Sequence, residues 1–422
     1  MKFTFIANAC GIFTGSAGTR ILTDPWLHDG VFEGSWCHFP KLTTTEADVC
    51  DVDAIFVSHI HPDHFDTRYF HFPVGIPILI LARPENFLKR NLERMGYKNI
   101  IEFEDGKTAQ FAELSLTLFA PFTTHNFHDA VVGNILDSAL VLEDQGVMAL
   151  NANDNTPTPE AARFLTERFG RFDLVMLNYN SAGPYPSCFD NLSIDEKRAE
   201  HSRLLSRNFD YIVSLTDQFQ PRALLPFAGA YVLGGSQGRK NPFLGTTTWE
   251  VCRDAVLERR PDLTVVLLRE GDTLDLVSME ADRPYVPLDM VEMVNYIEQE
   301  LPAQVYDYER DVMPNDNDLV NDLQVAAVKM IERASRFGLS SNARVAIRVG
   351  QEEVQVLPGS SVGLVPSDSV SLLCSMDPRL LRRILDRRAH WNNVEIGCHI
   401  DFFRSPNVYD PDLHTMLQFL HL

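Results

Sequence analysis

His59-Ile60-His61-Pro62-Asp63-His64 follows directly on the apolar run Ala54–Ser58 (AIFVS). That run reads as a buried strand, so the stretch sits where a strand gives way to a loop. Two imidazoles one residue apart at a strand end can turn toward one cation. The adjacent Asp63 and His64 can serve a second cation a few ångströms away. Two ions need such a split set, because each takes only about four to six ligands. The competing reading is a polar loop that holds three histidines by chance. Exposed loops rarely concentrate histidine in this way, so the stretch points to a dinuclear metal site.

Outward from it, Lys2–Ala7 reads as the opening strand, and Arg20–Thr23 as a short strand ending in Asp24-Pro25-Trp26. Ile76–Ala82 is another, its proline near the start. Pro84–Met95 has helical spacing and a stop at Gly96. Ala112–Phe119 and Ser138–Leu142 follow as strands, and Gln145-Gly146 turns into Val147–Leu150. Leu174–Leu177 is a buried strand. Ser193–Leu205 is a helix, with Ser193 as cap and Glu196 three residues on. Tyr211–Leu215, or the segment just after it, continues the strand pattern. Ala223–Pro226 is a strand, Thr246–Arg259 a helix and Leu263–Leu268 a strand. This alternation predicts an α/β protein with two mixed sheets and helices outside. Composition shifts around Glu280–Pro287, dividing the chain into residues 1–280 and a smaller α+β region, 281–422. The latter offers a helix over Asp289–Leu301 and a hairpin-like pair, Arg344–Arg348 and Val354–Val356. It also has a helix capped by Asp377 with Pro378 at its first position.

The chain has 422 residues, 45% hydrophobic and 23% charged, enough for a sizeable core without disulfide staples. Its formal net charge of -21 argues against nucleic-acid partners, which need a basic surface. It leaves room for an anionic ligand in a local basic pocket. Seven cysteines at scattered spacings, with no CxxC pair, argue against a disulfide framework or a zinc ribbon. A reducing, cytoplasmic setting is expected. The opening apolar run is broken by Asn8 and Gly11, so it is not read as a signal peptide. No apolar run approaches the ~20 residues that span a bilayer, and no membrane partner is expected.

With these residues in view, HIHPDH matches the HxHxDH signature, and residues 1–280 resemble the metallo-β-lactamase superfamily. The resemblance implies an αββα sandwich and further site residues in the family's order. Asp24 in ILTDPW resembles the early Asp that supports a ligand. The family's next His is offered twice in APFTTHNFH, by His125 and His128, with His125 preferred. The Asp that bridges both metals is offered by Asp154 in NANDNTP, and a carboxylate there offsets the repulsion between two cations. The alternative for Asp154 is a helix cap before Pro157–Glu160. The implied metal ligands are His59, His61, Asp63, His64, His125 and Asp154, with Asp63 and Asp154 as the catalytic carboxylates. The chain departs from the family at one place. Where a last His is expected after a late strand, LLPFAGAY puts Phe227, which cannot bind a metal. The ion held by Asp63 and His64 is then short of a ligand or borrows another.

PFAG, YPSCFDNLS at Tyr185–Ser193 and REGDTLDL at Arg269–Leu276 are similar to the metallo-β-lactamase-like domain of CMP-N-acetylneuraminate hydroxylases. HWNNVEIGCHIDFFRSPNVYDPDL, near the end, carries a weaker likeness. Those hydroxylases have a Rieske iron–sulfur domain. No pair of Cys-x-His elements occurs here, so electrons are expected from a separate reductase. The chain also resembles the nonheme diiron hydroxylases of this fold in natural-product pathways, which act on substrates tethered to a carrier protein or coenzyme A. Imidazole and carboxylate without thiolate, around an open position, suit two iron ions and dioxygen. That is the leading expectation: a monooxygenase that hydroxylates a C–H of a small organic substrate, tethered to CoA, a carrier or a nucleotide. The same donors suit zinc and a bridging hydroxide, oriented by Asp154, for attack on an ester, amide or phosphoester. A binding protein with a vestigial site is the third reading.

Other features have plainer readings. His71 reads as packing or support for the site, and His201 as structural. Arg379, Arg382, Arg383, Arg387 and Arg388 read as a solvated helix face, with an anion contact as the alternative. Gly229–Gly238, with Arg239 and Lys240, lacks phosphate-loop spacing and reads as a mobile rim of the site. Tyr179, Tyr185 and Tyr231 read as packed aromatics, with a pocket-lining role as the alternative. Residues 310–422 carry no catalytic motif. They could cover the cleft, bind part of the substrate or make a homodimer contact.

Overall fold

The strand that precedes the histidines is buried on both faces, and its alternating side chains sort into two cores. Ala54 and Phe56 face one way, with Leu79, Leu81, Leu116, Leu140 and Met176. Ile55 and Val57 face the other, with Ile78, Ile80, Leu88 and Leu92. A parallel strand covered on both sides reads as a continuous apolar run, as it does here. The computed structural model describes residues 1–123, 137–357, 363–364 and 371–422.

Among the described residues, the first sheet has eight strands. Their order is Glu280–Ala281, Thr273–Asp275, Lys2–Ala7, Cys10–Thr14, Arg20–Thr23, Ala54–Phe56, Ile78–Leu81, Ile100–Phe103. The last four run parallel. The second sheet has six strands: Ala223–Pro226, Leu174–Leu177, Val147–Asn151, Ala139–Asp144, Leu114–Phe119, Thr108–Phe111. One core fills the space between the sheets. Another lies between the second sheet and the helices Pro159–Phe169, Ile194–Phe219 and Trp249–Arg259. Helix Phe87–Arg94 covers the outer face of the first sheet through Leu88 and Leu92. The layers are therefore helix, sheet, sheet, helix. A fully buried Phe56 contributes about 1.5–3 kcal/mol to holding two of them together.

Local chemistry sets the element ends. Ser193 and Glu196 form a reciprocal capping box, as the sequence predicts. The helix they open runs on to Phe219, where a strand was expected at Tyr211–Leu215. Leu205, Phe209, Ile212, Thr216 and Phe219 are buried at spacings of four and three, and that helical period overrides the β-branched composition. The strand expected at Ala112–Phe119 is present as Leu114–Phe119, the second arm of a hairpin with Thr108–Phe111; its start is shortened by the turn at Ala112, whose φ is 50°. Leu263–Leu268 makes only an isolated bridge, Val265 to Leu224.

Beyond residue 310, a five-stranded sheet is covered by the helix Asp316–Ser335. Its core is continuous with Trp26, Phe32, Trp36, Phe189 and Tyr231 of the first region. The Gly-rich stretch joins the two and is not a mobile rim. Gly235 has a φ of 61°, and a Cβ there would meet the Tyr306 ring at 2.6 Å. Lys240 is buried, with Nζ 2.6 Å from Asp401 Oδ1 and donating to the Cys398 carbonyl at 2.7 Å. The arginines of helix Pro378–Leu385 are likewise engaged inside the chain: Arg379 with Asp377, Arg382 with Asp322, and Arg383 with Asp311 and Glu33. Among the described residues, no helix is long and apolar enough to cross a membrane.

Candidate metal centre

Two sheet edges meet at the site. Asp24 follows the strand Arg20–Thr23, and Ser58-His59 follow its parallel neighbour Ala54–Phe56. From the second sheet, Asp137 precedes Ala139–Asp144, Asp154 follows Val147–Asn151 and Asn178 follows Leu174–Leu177. Ser138 Oγ donates to the Ser58 carbonyl at 2.8 Å, and Asn153 Nδ2 to the Ser138 carbonyl at 2.9 Å, tying the edges together. Asn8, Asp24, Asn153 and Ala228 hold φ values of 46, 38, 40 and 63° around this region. Asn and Asp tolerate that backbone; for Ala228 it costs on the order of 1–2 kcal/mol. Strain of this kind gathers at functional sites.

The donors converge. His59 Nε2 lies 2.8 Å from His61 Nδ1 and 3.5 Å from Asp137 Oδ1. His64 Nε2 lies 3.4 Å from both Asp63 Oδ2 and Asp154 Oδ2. His59 Nε2 is 3.9 Å from Asp154 Oδ2, so His59 belongs to two donor groups, one with His61 and Asp137, the other with His64 and Asp154. The outward nitrogens are held by neighbours. Asn392 Oδ1 accepts from His61 Nε2 at 2.9 Å, which leaves the lone pair on Nδ1. Asp24 Oδ2 lies 3.2 Å from His64 Nδ1, and Ser58 Oγ 2.9 Å from His59 Nδ1. Asp24 is fixed in turn by the Ser58 N–H at 2.7 Å. Asn178 Nδ2 donates to Asp154 Oδ1 at 2.9 Å, and Asn8 Nδ2 to Asp63 Oδ2 at 3.3 Å. Apart from Asp137, each of these donors is thus aimed by a second residue, as metal ligands are.

Electrostatics point the same way. Burial, aided by His64, His61 and Arg83, holds His59 well below the usual imidazole range, so it is neutral. Burial opposes charge on His64, but Asp63, Asp154 and Asp24 outweigh it and push its pKa well up. Burial and the neighbouring Asp154 push Asp137 up to about 6. Burial also opposes charge on Asp154, yet His64, His61 and Asn178 hold it below the ordinary carboxylate range. His64 Nε2 and Asp137 Oδ1 are buried without a hydrogen-bond partner. Orphaned donors among four carboxylates are costly unless cations satisfy them. The residues fit two metal ions.

Residues 19–226 match the model of the Beta-lactamase superfamily domain. The chain carries a domain of that superfamily. Over 200 residues it is 32% identical to a protein named as a Rieske 2Fe-2S iron-sulfur protein of Mycolicibacterium smegmatis, covering 45% of this chain and 36% of that one. Over 299 residues it is 24% identical to the cytidine monophosphate-N-acetylneuraminic acid hydroxylase of Macaca mulatta, covering 67% and 47%. The matches thus span between a third and a half of these curated relatives. Solved structures that resemble it include CmlA, a diiron beta-hydroxylase from Streptomyces venezuelae, with a TM-score of 0.46, 17% identity and coverage of 65% and 53%. They also include an isothiocyanate hydrolase from Delia radicum gut bacteria, with a TM-score of 0.46, 17% identity and coverage of 65% and 99%.

The structure brings together five residues of the superfamily's motif pattern: His59, His61, Asp63, His64 and Asp154. Asp24 supports His64 as the resemblance implies. Asp154 does not cap the following helix; Thr158 does. His125 and His128 lie outside the described residues. His71 is exposed, and among the described residues its side chain has no bond to the site. His201 is bound to the Leu244 carbonyl, a structural role. Tyr231 stacks on Trp36 at 3.3 Å, Tyr179 is buried and Tyr185 packs on Phe189.

Sequence reasoning missed Asp137, Asn178, Asn8 and Asn392. Asp137 and Asn178 flank strands that were identified, so a search for polar residues at those strand ends would have found them. Asn392 comes from the far end of the chain, 331 positions from His61, with no local signal. Its replacement by Leu should leave the fold intact and weaken metal binding about 10–100-fold, as loss of an outer partner does. Metal-competition titration against a chelator reads this directly, and equal affinity would remove Asn392 from the site.

Proposed function

We propose that the chain is a nonheme diiron hydroxylase, using dioxygen and electrons from a separate reductase to hydroxylate a C–H of an organic substrate. A cytoplasmic setting and a substrate tethered to a carrier, CoA or a nucleotide belong to this proposal. One observation carries it. The second donor group has a single imidazole of its own, His64, beside Asp63 and Asp154. Phe227 supplies nothing there: its ring is buried against Phe3 and Phe5, with centroids 5.8 and 6.2 Å away. An oxygen-rich group with few nitrogens and no thiolate favours iron and leaves a position open.

His59, His61 and Asp137 would hold one ion; His64, Asp63 and Asp154 the other, with His59 within reach of both groups. Bound iron would supply dioxygen activation, which no side chain here can perform. The chain's residues orient and shield. Asn178 fixes Asp154 through Oδ1, leaving Oδ2 for the histidines. Asn392 and Asp24 set the tautomers of His61 and His64. The Phe32 ring, 6.1 Å from that of His61, gives one side an apolar wall that keeps water off. The zinc-hydrolase reading uses the same ligands, and the relatives named as hydroxylases favour the first.

The test is metal analysis of protein produced with iron and, separately, with zinc, together with oxygen uptake in the presence of a chemical reductant. Two irons per chain and reductant-dependent oxygen uptake are expected. Zinc-only occupancy, with ester cleavage that proceeds without oxygen, would replace this reading with the hydrolase.

A further inference from the structure

Arg83 stands two residues beyond the strand Ile78–Leu81, the parallel neighbour of Ala54–Phe56. The register pairs Phe56 with Leu79, and the Val57 N–H donates to the Leu79 carbonyl at 3.1 Å. The two chains therefore leave the sheet side by side, which puts Arg83 on the same edge as His59. The electrostatics agree. Arg83 acts on both His59 and Asp137, and burial lowers its own pKa to about 10 despite Asp137.

What sets Arg83 apart among the described residues is that no hydrogen bond or close ion pair engages it. The other partly buried arginines are engaged: Arg68 with Asp66 and Asp307, Arg222 with Asp173, Arg382 with Asp322, Arg383 with Asp311. Among the described residues, Arg83 makes no hydrogen bond and no ion pair within 4.0 Å. A guanidinium half-buried without an acceptor is costly, and its planar fork matches a carboxylate or phosphate. Charge counting points the same way. Among the described residues, Asp24, Asp63, Asp137 and Asp154 are the carboxylates around the donors, and two divalent ions would cancel their charge. Arg83 then leaves the pocket one positive charge in excess.

We propose that Arg83 binds an oxyanion carried by the substrate, a carboxylate or a phosphate, and so fixes the reacting carbon beside the metal ions. This deepens the metalloenzyme reading and rests on it. Among neutral and anionic forms of one substrate, the site would select the anionic form.

The experiment uses the zinc-loaded 422-residue chain, which is redox-silent, and calorimetric titration with inorganic phosphate and with acetate. Wild type, Arg83→Gln and Arg83→Lys are compared at measured zinc content. Arg83→Gln should keep its zinc and bind the preferred anion about tenfold more weakly, with Arg83→Lys in between. The anion that loses more identifies a phosphate- or carboxylate-bearing substrate. Equal affinity in wild type and Arg83→Gln for both anions would overturn the proposal. So would loss of zinc in Arg83→Gln with full zinc and unaltered anion binding in Arg83→Lys, which would make Arg83 a structural cation. A wild type that takes up no metal would refute the metal-centre reading instead. In that case, anion binding by the metal-free chain that Arg83→Gln abolishes would still place the oxyanion at Arg83.

Discussion

His59→Ala is expected to strip the chain of both metal ions and reduce turnover to background. Among the described residues, His59 Nε2 is the one nitrogen shared by the two donor groups, at 2.8 Å from His61 Nδ1 and 3.9 Å from Asp154 Oδ2. Removing it leaves His61 with Asp137 on one side, and His64 with two carboxylates on the other. The fold should survive. His59 is neutral and buried, and Ser58 Oγ keeps His64 Nδ1 at 3.3 Å as an alternative partner. The change is therefore separable from misfolding. Wild-type protein gains stability from bound metal, about 2.7 kcal/mol at a hundredfold excess over Kd. Thermal melts with and without added metal should diverge for wild type and coincide for His59→Ala. Two ions retained per chain of His59→Ala would break the assignment of both groups.

The parts of this site that were legible in the sequence are those that local geometry compresses. His59, His61, Asp63 and His64 lie within one turn of chain after a buried strand, so spacing alone brings them together. Asp154 needed the superfamily's order of motifs, because its neighbours in the sequence, Asn153 and Asn155, look equally polar. Asp137 was legible only as one polar residue among several at strand ends: its partner His59 lies on another sheet, and nothing local marks it as a ligand. Asn392 was less legible still, because it belongs to residues 310–422, where no catalytic motif was read. The structure gives that region a share in the metal site through the Asn392–His61 contact.

The same split runs through the fold. Arg20–Thr23, Leu174–Leu177 and Ala223–Pro226 were read to the residue, since short apolar runs between breakers leave one option. Tyr211–Leu215 misled because β-branched composition is a weak local preference, and burial at every third and fourth residue decides against it. The arginines after Pro378 and the Gly-rich stretch misled for another reason. Their partners, Asp311, Asp322 and Asp401, are remote in sequence, and charge patterning along one helix cannot reveal that its cations are committed elsewhere.

Phe227→Ala should cost about 3–5 kcal/mol of stability while leaving metal content per folded molecule unchanged. The strand Ala223–Pro226 pairs with Leu174–Leu177, and Phe227 continues that pairing by donating its N–H to the Leu177 carbonyl at 2.8 Å. It therefore stands at the sheet edge beside Asn178, which reaches Asp154, and that is where the superfamily's last imidazole was expected. Its ring does not turn to the metals. It is buried edge-on to Phe3 and Phe5, in the core between the two sheets. Aromatic pairs of this geometry add about 0.5–1.5 kcal/mol beyond the area they bury. The residue has exchanged a ligand's place for a packing role, and truncation should register in the denaturation midpoint and not in the metal assay. Phe227→His would forfeit the same packing and, if its ring nitrogens stayed in the core, add an unpaired polar group there, worth about 1–3 kcal/mol more. A Phe227→Ala protein of full stability, or one that folds but loses an ion, would show that the ring shapes the site directly. The open position inferred for the Asp63–His64 ion would then need another cause.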